Sequence, residues 1–129
     1  MQTKDFSGIR TNGSLPRPEE MDIPGDVGDL LVDYVESTSS MLEELEKAAL
    51  AYEASVRQPA GGPDQGSAAA IRRILHKIKG ESGMVGIDDM SEFCHQAEYA
   101  FEELDPRQRP DMLLRFKDWV CTALQNIKS

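Results

Sequence analysis

The chain has two histidines, and each stands at helical spacing from a group that could assist it. His76 is followed by Lys79 at i+3 and Gly80 at i+4, in the run His76-Lys-Ile-Lys79-Gly80-Glu-Ser-Gly83-Met-Val85-Gly86. His95 is followed at i+3 by Glu98, so the two can share one edge of a helix. An imidazole near a carboxylate suits nucleophilic chemistry. A neutral ring has one nitrogen that donates and one that attacks, and a carboxylate holding the Nδ1 proton leaves Nε2 the more electron-rich. Lys79, one turn from His76, can attract or stabilise a phosphoryl group placed on that nitrogen.

Such chemistry requires the histidines to lie outside the core. With His76 at zero and 100° per residue, Ile74, Ile78 and Val85 fall at about 160 to 180°, and Ile71 at about 140° on the other side, forming a core stripe. Ala69, Arg72, Arg73, Lys79, Gly80 and Gly83 lie within about 60° of His76. A histidine is thus displayed on a face of small and basic side chains. A glycine inside a helix costs about 1 kcal/mol relative to alanine, so Gly80 and Gly83 need a reason, and access for another molecule is one. The alternative is that Gly80 ends the helix as a C-cap, with Gly83 and Gly86 in a loop. On the segment that carries His95, the residues Met90, Phe93, Ala97, Phe101 and Leu104 make the apolar face. Glu92, His95, Glu98, Tyr99 and Glu102 lie outside it, so His95 and Glu98 can meet His76 across the edge of the two helices.

The elements that position these residues are helical. Residues 1–25 mix Gly, Pro, Ser and charge without periodicity and are expected to be a disordered leader. From about Asp26, Leu31, Val35, Thr38, Leu42, Leu45 and Ala49 recur at three- and four-residue spacing and predict a long helix. It stops before Gln58-Pro-Ala-Gly-Gly-Pro-Asp-Gln-Gly66, a surface loop. Ser67 is an N-cap for the helix of His76, and Asp88 or Asp89 for that of His95, which ends at Asp105-Pro106. Pro110 suits the first turn of a last helix, lined by Leu113, Phe116, Val120, Ala123 and Ile127. Nothing alternates as a strand does, and no repeat is visible. The expectation is an all-α fold, an antiparallel four-helix bundle over residues 26–129.

Composition narrows the partners. At 129 residues there is room for one ordinary domain, which excludes a full catalytic kinase. The net charge of -9 repels phosphate backbones and anionic membranes, so nucleic acid is not an expected partner. No apolar run approaches a membrane span, and the N-terminus lacks the apolar core of a signal peptide, so a cytoplasmic location without membrane insertion is expected. Cys94 and Cys121 read as small apolar residues in a reducing compartment. A zinc site from His76, Cys94, His95 and Glu98 matches no common ligand spacing, and neither metal nor cofactor is expected. Met41, Met84, Met90 and Met112 read as core and rim filler.

The run from His76 to Gly86 resembles the H-x-x-K-G motif of histidine-containing phosphotransfer (HPt) domains. The continuation Asp88-Asp-Met-Ser-Glu-Phe-Cys-His95-Gln-Ala-Glu98 is similar to the third helix of that family, above all in the N-terminal phosphotransfer domain of chemotaxis histidine kinases. The resemblance covers about residues 26 to 129. It implies His76 as phosphoacceptor, Lys79 aiding transfer, Gly80 and Gly83 giving a partner access, and Glu98 with His95 setting the imidazole. Glu81 stands where the family usually has a small residue, about 140° from His76. The implied protein is a phosphoryl carrier without its own ATP-binding kinase domain. Its implied partners are a histidine kinase catalytic domain and a response-regulator receiver, whose active site would supply the metal ion. The other reading of the same bundle is a binding module that sequesters a receiver or kinase without being phosphorylated.

Overall fold

The computed structural model of the protein describes residues 4–25, 28–58 and 62–128. The expected helix start at Asp26, the loop centre at 59–61 and the first three leader residues lie outside these. The helices are α1 (Gly8–Thr11), α2 (Gly28–Arg57), α3 (Gln65–Met84), α4 (Asp88–Glu103) and α5 (Arg109–Lys128), with a 3-10 turn at Pro18–Glu20. Among the described residues there is no strand, and no helix is long and apolar enough to cross a membrane.

Helices α2 to α5 form the antiparallel four-helix bundle, in which α2 and α4 each pack on both α3 and α5. The stripes that set this arrangement are buried: Val35, Thr38, Leu42, Leu45 and Ala49 on α2, and Ile71, Ile74 and Ile78 on α3. Met90, Phe93, Ala97 and Phe101 on α4 meet Leu113, Phe116, Val120 and Ala123 on α5. The register of α2 against α3 is fixed by polar pairs. Arg73 lies 3.6 Å from Glu44, the Ser37 hydroxyl donates to Glu81 at 2.9 Å, and Tyr34 Oη and Ser82 Oγ are hydrogen-bonded at 2.6 Å. Burial pushes the Tyr34 phenol well above its ordinary range. Cys94 is fully buried and its thiol is likewise raised, while Cys121 is half-buried; both are free.

Two helix starts differ from expectation. Helix α3 begins three residues earlier than Ala68 because Asp64, not Ser67, is its N-cap. The Asp64 carboxylate accepts from the Gly66 N–H at 3.1 Å and the Ser67 hydroxyl at 2.7 Å. Helix α4 starts from Ile87 without a side-chain cap, and Asp88 and Asp89 sit in its first turn, where carboxylates face the positive end of the helix dipole.

The larger difference is the leader. Residues 4–25 are not disordered here; they form a strap across α4 and α5. Phe6 and Ile9 are 1% exposed, and Met21 is buried. Phe6 stacks on Phe93 at 4.9 Å between ring centroids and meets Trp119 edge-on at 5.2 Å. The strap's backbone carbonyls are satisfied from α5: Trp119 Nε1 donates to Pro16 O at 2.7 Å, and Arg115 donates to Gly8 O at 3.3 Å and Gly13 O at 2.7 Å. The physical reason is that a segment without periodicity can still bury isolated apolar residues when the partner surface supplies both aromatic rings and hydrogen-bond donors.

Candidate functional site

The site is built on the outward stripe of α3. Gly80 lies inside the helix, and the left-handed cap is six residues later. At Gly86, φ is +81°, the Ile87 N–H reaches Ser82 O at 2.9 Å, and the Gly86 N–H reaches Gly83 O at 3.2 Å. These are the paired bonds of a Schellman motif, so the alternative of a cap at Gly80 is set aside. A Cβ at Gly80 would meet nothing within 4 Å, and one at Gly83 only Ser91 Oγ at 3.8 Å. Packing within the chain therefore does not demand either glycine, although each costs the helix about 1 kcal/mol. What they do is leave the stripe beside His76 bare.

His76 projects from this stripe with its side chain 75% exposed. Its Nδ1 edge faces α4, where Glu98 Oε2 stands 3.5 Å away. That is an ion-pair distance, about 0.7 Å longer than a charge-assisted hydrogen bond. The other oxygen, Oε1, forms an ion pair with Lys79 Nζ at 2.6 Å. Lys79 and Glu98 are mostly covered, so the pair forms a firm wall on one side of an exposed ring. Because Nδ1 is turned toward the carboxylate, Nε2 on the far side of the ring is left toward solvent. Glu81 is bonded to Ser37 on the α2 side and stands clear of the imidazole.

Of the two α4 residues expected to reach His76, Glu98 does and His95 does not. The His95 ring instead meets Tyr99 edge-on at 4.9 Å. Both line a cleft of about 330 Å³ between α3 and α4, together with Arg72, Leu75, Lys79, Glu98, Phe101 and Glu102. His95, three residues before Glu98, shares its helix edge but lies one turn nearer the end of α3, and Tyr99 takes up the ring there. Arg72 pairs with Glu102 at 2.6 Å across this cleft and holds that carboxyl below its usual range. Tyr99 belongs to the cleft although only its place off the apolar face pointed to it. Met84, read as filler, is 86% exposed at the end of the stripe, about 80° from His76 by the same helical arithmetic. Among the described residues, no group of three or more His, Cys, Asp or Glu side chains could hold a metal ion.

The geometry is thus a four-helix bundle that displays one imidazole on a bare helix face, with a carboxylate from the next helix at its Nδ1 edge. The family model of the Hpt domain matches residues 29–128, and the chain belongs to that family. Comparison with curated proteins and with solved structures gave no match. As an Hpt domain the chain is a phosphotransfer module of two-component signalling.

Proposed function

We propose that His76 is the phosphoacceptor and that the chain relays a phosphoryl group from a histidine kinase or a phospho-aspartyl receiver to a response-regulator aspartate. The observation that carries this is the exposed His76 ring with Glu98 at its Nδ1 edge. In the forward step the Nε2 lone pair attacks phosphorus, the bond from phosphorus to the donor oxygen breaks, and that oxygen leaves with the electron pair. The ring becomes positively charged as the N–P bond forms, and Glu98 beside the Nδ1 proton stabilises that charge. Lys79 can turn from Glu98 toward the phosphoryl oxygens. The partner's active site supplies the rest, so this chain contributes nucleophile, positioning and docking face. Glu98 also supports kinship with the phosphotransfer domain of chemotaxis kinases.

The test is phosphorylation with a cognate kinase and ATP, or with phosphoramidate. Acid-labile, base-stable phosphate is expected on the parent and none on His76→Gln, whose stability should differ by less than about 0.5 kcal/mol because the ring makes no core contact. Normal phosphate stoichiometry on His76→Gln overturns the assignment. A parent that binds a receiver tightly yet never takes phosphate is a sequestering module instead.

A further inference from the structure

The strap is fastened to α5 through its backbone carbonyls and to α4, the helix that carries Glu98, through its side chains. Near the start of α4, one oxygen of the buried Asp89 accepts from Lys4 Nζ and from the Asp22 backbone N–H, both at 2.9 Å. The two ends of the strap therefore meet on a single carboxylate. In the middle of α4, Phe93 carries the Phe6 ring. At the end, the Arg10 guanidinium grips Glu103 with Nη2 at 2.7 and 2.8 Å from the two carboxylate oxygens and Nε at 3.2 Å. The same guanidinium lies 5.9 Å from the centroid of the Tyr99 ring, and Tyr99 meets His95 edge-on.

Arg10 differs from the other fastenings. Phe6 and Asp89 are buried and hold the strap down, whereas Arg10 and Glu103 are 37% and 50% exposed, a kind of pair that adds little to stability. Its forked geometry nevertheless fixes direction. Direction matters on α4, because side-chain ends lie about 5–6 Å from a helix axis, so turning the helix by about 10° moves a carboxylate by about 1 Å. That is the scale of the gap between the 3.5 Å separation of Glu98 from His76 and a hydrogen bond.

We propose that Arg10 is a positioning residue for the phosphotransfer site: by holding Glu103 and covering Tyr99 it sets the rotation of α4, and with it the distance of Glu98 from His76 Nδ1. The proposal rests on the reading of His76 as phosphoacceptor and adds the strap to the functional unit. It acts only through α4, since Arg10 touches neither His76 nor the phosphoryl group.

The experiment uses the full chain as parent, Arg10→Ala and Arg10→Lys. Three quantities are measured: the melting temperature, the rate of phosphorylation by phosphoramidate, and the Nδ1–H to Nε2–H tautomer ratio of His76 from ring ¹⁵N shifts above the imidazole titration range. Arg10→Ala should melt close to the parent, lose about threefold to tenfold in rate, and shift the ratio away from Nδ1–H, as expected for a displacement below 1 Å. Arg10→Lys, which keeps the charge but not the fork, should recover part of both. Parental rate and tautomer ratio in Arg10→Ala overturn the proposal. So does a rate loss that merely follows a lower melting temperature with the ratio unmoved. If the parent takes no phosphate on His76, the phosphoacceptor reading fails by itself, and the tautomer ratio still decides whether Arg10 positions Glu98.

Discussion

The outward stripe of α3 and the strapped side of α4 solve opposite problems. On α3 the side chains that could have packed are missing: Gly80 has open space where a Cβ would be, and the His76 ring is 75% exposed. On the other side of the bundle, Phe93 lies within 4.9 Å of the rings of Phe6, Phe116 and Trp119. His76, the proposed nucleophile, stands exposed, while Glu98, proposed to serve it, rides on a helix covered by both the bundle and the strap. A group that must meet two different partners needs access, and a group that must hold a proton at one atom needs rigidity. The division places each demand on a separate helix.

The comparison breaks first if the strap is not part of the cooperative fold. Phe6→Ala removes a buried ring from the aromatic cluster, and core changes of this kind cost about 3–5 kcal/mol. A loss of about 3 kcal/mol is expected in urea denaturation, at the low end because the strap can partly close over the gap. A loss below about 1 kcal/mol would mean that residues 4–25 lie on the bundle without stabilising it.

A sharper probe sets the rigid carboxylate against the free ring. Glu98→Ala leaves the Phe6 cluster untouched and removes the group at the Nδ1 edge, so phosphorylation should slow by about tenfold to a hundredfold, the usual effect of losing an orienting or acid–base partner. Kinase binding, measured separately, should change little. Lys79 loses its partner in this variant and becomes free to meet the phosphoryl group, which argues for the smaller end of that range. An unaltered rate would return Glu98 to the role of a partner for Lys79 alone.

The two regions were also unequally legible in the sequence. The bundle stripes and the His76 face follow from one angular rule, because long amphipathic helices write their burial into the spacing of residues. Glu98 was legible for the same reason. His95 was not, because spacing gives an edge of a helix and not the neighbour that takes the ring, here Tyr99. The strap escaped because Phe6 and Ile9 are two apolar residues in a stretch of Gly, Pro and charge, too few to make a period. A sign of it lay on α5 instead. Met112 and Trp119 extend the stripe of Leu113, Phe116 and Val120 on one side to an apolar arc of about 120°, and both are buried. An arc with a tryptophan at its edge asks for a further element to cover it. The cap of α3 was ambiguous for a simpler reason, since a glycine at Gly80 suits a helix end as well as an open face, and the positive φ falls at Gly86, which spacing alone does not mark.

A small expected gain in stability comes with the cleanest test of access. Gly80→Gln places a long neutral side chain one turn from His76, at a position where a Cβ meets no other atom within 4 Å. Since the site is helix interior, glutamine should stabilise the chain by somewhat under about 1 kcal/mol, read as a slightly higher melting temperature. A receiver must bring its aspartate to within bonding distance of Nε2, and its surface must then lie along the bare stripe that the glutamine now fills. Transfer to and from a receiver should therefore fall by more than about tenfold, as a displacement of about 1 Å at the reacting atoms is enough to do. Phosphoramidate needs no such surface and should phosphorylate the variant at close to the parental rate. Equal slowing with both donors would mean that Gly80 serves the ring's own surroundings, and the bareness of the α3 stripe would then belong to the chemistry of His76 and not to the approach of its partner.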